Sequence, residues 1–112
     1  MWPSEWLRAV LTMAVLSTLA DHDSHGYAIS QRLREVGLGE IKGGTLYPLL
    51  ARQQDAKIVD HSWEHEGGGP ARKVFHLTSR GRAEVESLTS RWRDFNRTIE
   101  QMLQPIESRD QQ

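Results

Sequence analysis

The stretch from Lys42 to Pro48 reads Lys-Gly-Gly-Thr-Leu-Tyr-Pro, with one ammonium, two side-chain-free positions and two hydroxyls close together. At the start of a helix these groups suit phosphate. Helix N-termini favour anions, and the Gly43-Gly44 backbone allows close approach. Lys42 can neutralise a phosphate, Thr45 can bond a phosphate or a base edge, and the Tyr47 hydroxyl can reach a phosphate. A second basic pair, Arg72-Lys73, follows Gly67-Gly68-Gly69-Pro70, where a hairpin tip would carry it to a nucleic-acid backbone or minor groove. Contacts of this kind position a protein and carry little base information, so no target sequence follows from them. The residues alone leave a second reading open. Thr45 and Tyr47 could cap and pack, with Arg72 and Lys73 on a solvated turn.

Other reactive side chains do not form a site. His22 and His25 alternate with Asp21 and Asp23, but an Asp-rich stretch between helices more often supplies caps and turns than metal ligands. His61 and His65 fall on a strand and its end, where their spacing separates them widely. Serines such as Ser24, Ser30 and Ser79 lack a nucleophile elbow, and no phosphate loop or dinucleotide fingerprint is present. Catalysis, metal ions and cofactors are not expected.

The scale of the chain fits one binding unit. Its 112 residues are 38% hydrophobic and 26% charged, the composition of a single globular domain. The absence of cysteine excludes disulfides and thiolate chemistry and fits a cytoplasmic location. The longest apolar run, Ala9 to Ala20, is too short and too interrupted to span a bilayer. Net charge is −1, but it is unevenly spread. Residues 41–82 carry seven basic against four acidic side chains, while both flanks are acidic. A basic centre between acidic ends is the pattern of a local anion-binding face.

Five elements would position these groups. Trp2-Pro3-Ser4-Glu5 opens a first helix with a wide apolar face. Asp21 to Ser24 stop it and offer caps for a second helix, about His25 to Val36, with Tyr27, Ile29, Leu33 and Val36 as its apolar stripe. Gly37 and Gly39 end that helix. A third helix is expected over Gly44–Gln54, capped by Thr45 or Gly44, with Pro48 in its first turn. Ile58–Glu64 and Arg72–Thr78 then change to strand-like composition around the glycines, which predicts a hairpin. Thr78-Ser79 caps a last helix reaching about Gln104. This order predicts a mainly α fold, a winged helix-turn-helix with a small two-stranded antiparallel wing and a long C-terminal helix.

In that last helix Val85, Leu88, Trp92, Phe95, Ile99 and Met102 step by three and four residues, a narrow coiled-coil seam. A helix of about 26 residues is roughly 39 Å long, more than the preceding domain can cover. The seam therefore predicts a homodimer, the alternative being a helix folded back over its own domain. Trp92 is large for its seam position. It either fills the interface or leaves a flat space beside a two-fold axis that suits a planar apolar ligand.

Gly44-Thr45-Leu46-Tyr47-Pro48-Leu49-Leu50 resembles the recognition-helix signature of the PadR family of bacterial transcriptional regulators. His25-Gly26-Tyr27-Ala28-Ile29 is similar to that family's second-helix start. Arg72-Lys73-Val74-Phe75-His76-Leu77-Thr78 is similar to its wing strand, with Val74-Phe75 replacing the usual tyrosine pair. Gln53 to Lys57 also departs from the usual leucine and glutamates. The resemblance implies a homodimeric repressor of its own or neighbouring genes, bound to a double-stranded DNA operator through Lys42, Gly44, Thr45, Tyr47, Pro48, Arg72 and Lys73. It implies a winged domain over residues 1–78, a dimerisation helix over 79–104 and a flexible tail over 105–112. Trp6, Val10 and Met13 of the first helix would join the seam of the last in the dimer. Trp92 matches the place of a tryptophan that stacks on flat ligands in multidrug-responsive short members, so it and Phe95 would hold a small aromatic or drug-like inducer. A winged helix that binds protein and no DNA is the rival reading.

Overall fold

The first helix, α1 (Ser4–Asp21), buries Val15, Leu16, Thr18 and Leu19 near its C-terminal end and leaves its N-terminal half largely open. The computed structural model describes residues 1–65 and 67–103. After α1 come β1 (Ser24–His25), α2 (Gly26–Glu35), α3 (Gly43–Asp55), β2 (Val59–Glu64), β3 (Arg72–Leu77) and α4 (Ser79–Leu103). Leu16 and Leu19 of α1, Ile29 and Leu33 of α2, Leu46, Leu49 and Leu50 of α3, and Val59, Phe75 and Leu77 of the sheet form one core. Each helix thus contributes its apolar stripe to a shared interior, which supplies most of the stability that short helices lack alone.

The sheet has three strands and not the two expected. Its order is β1-β3-β2, all antiparallel, with Ser24 opposite Phe75 and His25 opposite Val74. The residues read as helix caps, Asp21 to Ser24, do not cap α2. His25 does, its Nδ1 accepting a hydrogen bond from the Ala28 amide at 3.2 Å. Tyr27 and Val36, assigned to the inward stripe of α2, are mostly exposed at 66% and 54%. They lie at the margins of a stripe that only Ile29 and Leu33 complete.

Two helix ends follow one hydrogen-bond pattern. At the end of α2 the Gly37 amide donates to Arg34 O and the Leu38 amide to Leu33 O, with Gly37 at φ 93°. This is the Schellman arrangement, which satisfies carbonyls the helix leaves open. The end of α3 repeats it, Lys57 donating to Gln54 O and Ile58 to Gln53 O. Here Lys57, at φ 64°, occupies the left-handed position that glycine usually takes. The Gln53–Lys57 segment that departs from the family pattern therefore still makes the same turn.

The joint between the sheet and α4 explains why Thr78 and Gly81 stand where they do. The Thr78 hydroxyl donates to Lys57 O at 2.6 Å and accepts from the Gly81 amide at 3.0 Å, capping α4 as expected. Gly81 packs directly on the Ile58 carbonyl, and a Cβ there would collide with that backbone oxygen. Only glycine lets α4 leave the sheet so closely. The expected end of α4 at Gln104 and the tail 105–112 lie outside the described residues.

Past Thr89, α4 leaves the domain. Val85 and Leu88 are half-buried against the core, but every residue from Ser90 to Leu103 is exposed. That is about 21 Å of helix at 1.5 Å per residue. No helix among the described residues is long and apolar enough to cross a membrane.

Candidate nucleic-acid interface

The start of α3 is open on the surface. Lys42 is its N-cap and makes no side-chain capping bond, so the expected caps, Thr45 or Gly44, are corrected to Lys42. The amides of Thr45 and Leu46 both return to Lys42 O at 3.0 Å. The amides of Gly43 and Gly44 have no carbonyl behind them to bond, as at any helix start, and both residues are exposed. With the exposed Lys42 ammonium and Thr45 hydroxyl beside them, these donors form a small anion-favouring surface. Pro48 is in the second turn and not the first, because α3 begins at Gly43. It cannot donate to the Gly44 carbonyl, four residues earlier, and the exposure of Gly44 lets water serve that oxygen.

Tyr47 connects this surface to the rest of the face. It is half exposed, and its phenol lies over Gly26 at the start of α2, so close that a Cβ on Gly26 would overlap the hydroxyl. On the α2 side Tyr47 lines an open cleft of about 480 Å³ with Tyr27, Gln31, Arg34 and Lys42. On the hairpin side it lines a cleft of about 200 Å³ with Gln54, Lys73 and Phe75. The glycine of the His25-Gly26-Tyr27 motif thus has a physical cause, the approach of the Tyr47 ring from α3.

That geometry makes Gly26→Ala a test of where Tyr47 points. The atoms nearest its new Cβ belong to the far end of the exposed Tyr47 side chain, which can swing away at little cost in stability. The melting temperature is expected to stay within a few degrees of wild type while affinity for DNA falls by about tenfold. Unchanged affinity would show that the phenol's position does not matter for binding, and a fall in melting temperature of more than about 10 °C would show that Tyr47 cannot swing away.

The hairpin places its two cations differently. Arg72 is exposed and stands opposite Glu64, whereas Lys73 is half-buried opposite Trp63, with its Nζ 5.5 Å from the centre of the Phe75 ring. Alternation along β3 sends the two side chains to opposite faces. Lys73 shares the α3 side with Tyr47, and Arg72 projects from the other side of the wing. Lys42, Gly44, Thr45 and Tyr47 are brought together; Lys73 reaches their flank and Arg72 stands apart.

Sequence reasoning passed over Tyr27, Gln31 and Arg34, which line the cleft beneath Tyr47, and Trp63, which is 61% exposed on the wing. Spacing assigns Tyr27 to the inward stripe of α2, and Trp63 reads as an ordinary strand aromatic. The histidines remain apart. His61 sits 3.0 Å from Gln54 Oε1 through its Nδ1, His22 Nε2 lies 3.4 Å from Asp21 Oδ2, and no three His, Asp or Glu side chains among the described residues are placed to hold a metal ion.

On α4, Trp92 and Phe95 lie side by side with ring centres 6.0 Å apart, at 39% and 58% exposure. Ile99 and Met102 continue the same exposed seam. On α1, Trp6 is exposed, and Val10 and Met13 are half-buried. The Trp2 indole donates to Gly37 O at 2.8 Å and ties the start of α1 to the turn before α3.

Comparison with known proteins agrees with this architecture. Residues 15–87 match the model of the transcriptional regulator PadR-like family. The transcriptional regulator Rv3488 of Mycobacterium tuberculosis is 36% identical over 82 residues, which cover 72% of this chain and 74% of that protein. A PadR-like transcriptional regulator from Bacillus cereus has a crystal structure that superposes with a TM-score of 0.82 at 29% identity, covering 89% of this chain and 97% of that one. A PadR family transcriptional regulator from Eggerthella lenta superposes at 0.79 and 29% identity, covering 89% and 87%. With the winged helix, the open start of α3 and a family match spanning most of the chain, this protein belongs to the PadR-like family of transcriptional regulators.

Proposed function

We propose that the protein is a homodimeric repressor that binds a specific DNA operator, placing α3 of each protomer in successive major grooves about 34 Å apart. The observation that carries this reading is the joint exposure of Lys42, Thr45 and Tyr47 around the open N-terminus of α3, with Lys73 on its flank. These groups supply phosphate contacts and one face able to enter a groove. A winged helix that binds only protein would need no such concentration of cations and free amides. Gel shifts on the promoters of its own and neighbouring genes test the reading. A salt-sensitive complex that survives excess competitor DNA supports it, and equal weak binding to every sequence counts against it.

The dimer of this proposal joins the exposed seam of α4 to that of a second copy, with Trp6, Val10 and Met13 of α1 alongside. Burying the still exposed parts of Trp92, Phe95, Ile99 and Met102, 38% to 71% of each, offers about 0.6–2 kcal/mol for each large side chain. An inducer, in this reading, is a flat aromatic molecule held at Trp92 and Phe95. It acts by favouring a dimer geometry whose α3 spacing no longer matches the operator. With a panel of planar aromatic drugs, ligand-dependent release from DNA is expected for wild type and is expected to be lost in Trp92→Ala. Release that is equal in both proteins would remove the ligand from this site.

A further inference from the structure

One face of the hairpin is a packed row with a single open end. Val59 and His61 of β2 stand opposite Leu77 and Phe75 of β3, and Trp63 stands opposite Lys73. Val59, Phe75 and Leu77 are buried, His61 is half-buried and reaches Gln54 of α3, and Lys73 is half-buried over Phe75. Trp63 alone is left mostly in solvent, held edge-on against the His61 ring at 6.0 Å and 89°. An indole so placed forgoes most of its burial free energy and adds little to the domain core.

We propose that Trp63 is the wing's apolar contact with the DNA duplex, its ring lying against deoxyribose in the groove wall that flanks α3. The inference rests on the DNA-binding reading above. Trp63 is on the same side of the hairpin as Lys73, which shares a cleft with Tyr47, so the ring and α3 address the same side of the molecule. Its cross-strand neighbour is a cation that draws in the phosphate backbone, while Glu64 is on the opposite face, opposite Arg72. Apolar side chains carried by such elements lie against sugars and base steps in DNA grooves, and an indole combines a broad apolar face with a single donor. A second copy of the chain fits less well. A two-fold contact through this ring would bring Lys73 towards its own counterpart.

The test uses the duplex that the wild-type protein selects from a random-sequence library, titrated by fluorescence anisotropy over a series of KCl concentrations. Trp63→Ala is expected to lower affinity about tenfold with the salt slope unchanged, because a sugar contact releases no counterion. Trp63→Phe is expected to retain most of the affinity. Both variants should melt like wild type, the side chain being exposed. Wild-type affinity in Trp63→Ala overturns the proposal, as does a loss of affinity accompanied by dissociation of the dimer in sedimentation. Those results leave the DNA-binding reading standing. A wild-type protein that selects no duplex overturns both.

Discussion

Alanine at Lys42, Arg72 and Lys73 together is expected to abolish most of the salt dependence of DNA binding. In a dimer these are six cations, and each phosphate neutralised contributes about −0.9 to the slope of log affinity against log salt. The slope should therefore fall by about 3.6 from Lys42 and Lys73, which flank α3, and by up to about 5 with Arg72 on the other side of the wing, and low-salt affinity by at least about a hundredfold. Stability should change little. Lys42 and Arg72 are exposed, and the contact of Lys73 with Phe75 is a cation–π interaction worth about 0.5–1 kcal/mol at a site of this exposure. Anisotropy titrations at several salt concentrations, with a thermal melt of each protein, read both quantities. An unchanged slope would mean that these cations do not face phosphate and would favour the protein-binding winged helix.

The double substitution Phe95→Glu with Ile99→Glu is expected to produce monomers at micromolar concentration. Both residues are exposed on the outer part of α4, so the fold of the domain does not depend on them. In the proposed dimer each loses about 0.6–2 kcal/mol of apolar burial, because Phe95 and Ile99 are 58% and 38% exposed in the protomer, doubled by two-fold symmetry, and four carboxylates would enter an apolar seam. The loss exceeds what a typical dimer can absorb. Sedimentation velocity separates the two states directly. DNA affinity should fall with it, since one winged domain then engages one half-site without the second held nearby. A variant that remains dimeric would place the interface elsewhere than on α4.

Long periodic elements were readable from residue order because burial imposes their period. The shared stripes of Leu16 and Leu19, Ile29 and Leu33, and Leu46, Leu49 and Leu50 are of this kind, as are Val85 and Leu88 at the start of α4. The glycine turn after α2 and the Thr78 cap were readable for a different reason, since few residue types satisfy those backbone geometries. What escaped was set by tertiary contact. A two-residue strand such as β1 has no period, and Ser24 and His25 become strand only because β3 offers an unpaired edge. The same pairing takes Ser24 out of the capping position and leaves it to His25. Tyr27 and Val36 lie where a stripe meets solvent, which spacing cannot resolve.

The candidate site divides along the same line. Lys42, Thr45 and Tyr47 were visible as types suited to phosphate at a helix start, although the start lies one residue earlier than expected and Pro48 moves to the second turn. The closeness of Gly26 to Tyr47 required the packing of α2 on α3, because the two residues belong to different helices. The opposite faces of Arg72 and Lys73 follow from strand alternation, but which of them meets α3 depends on register with β2.

In the proposed function two copies of α3 read one duplex. The most direct measurement is the stoichiometry and affinity of the wild-type protein on its selected duplex, by sedimentation equilibrium and anisotropy, against a scrambled duplex of equal length. Two protomers per duplex, and affinity at least about a thousandfold above the scrambled sequence at physiological salt, are the predicted result. One protomer per duplex, or equal affinity for both sequences, would contradict it.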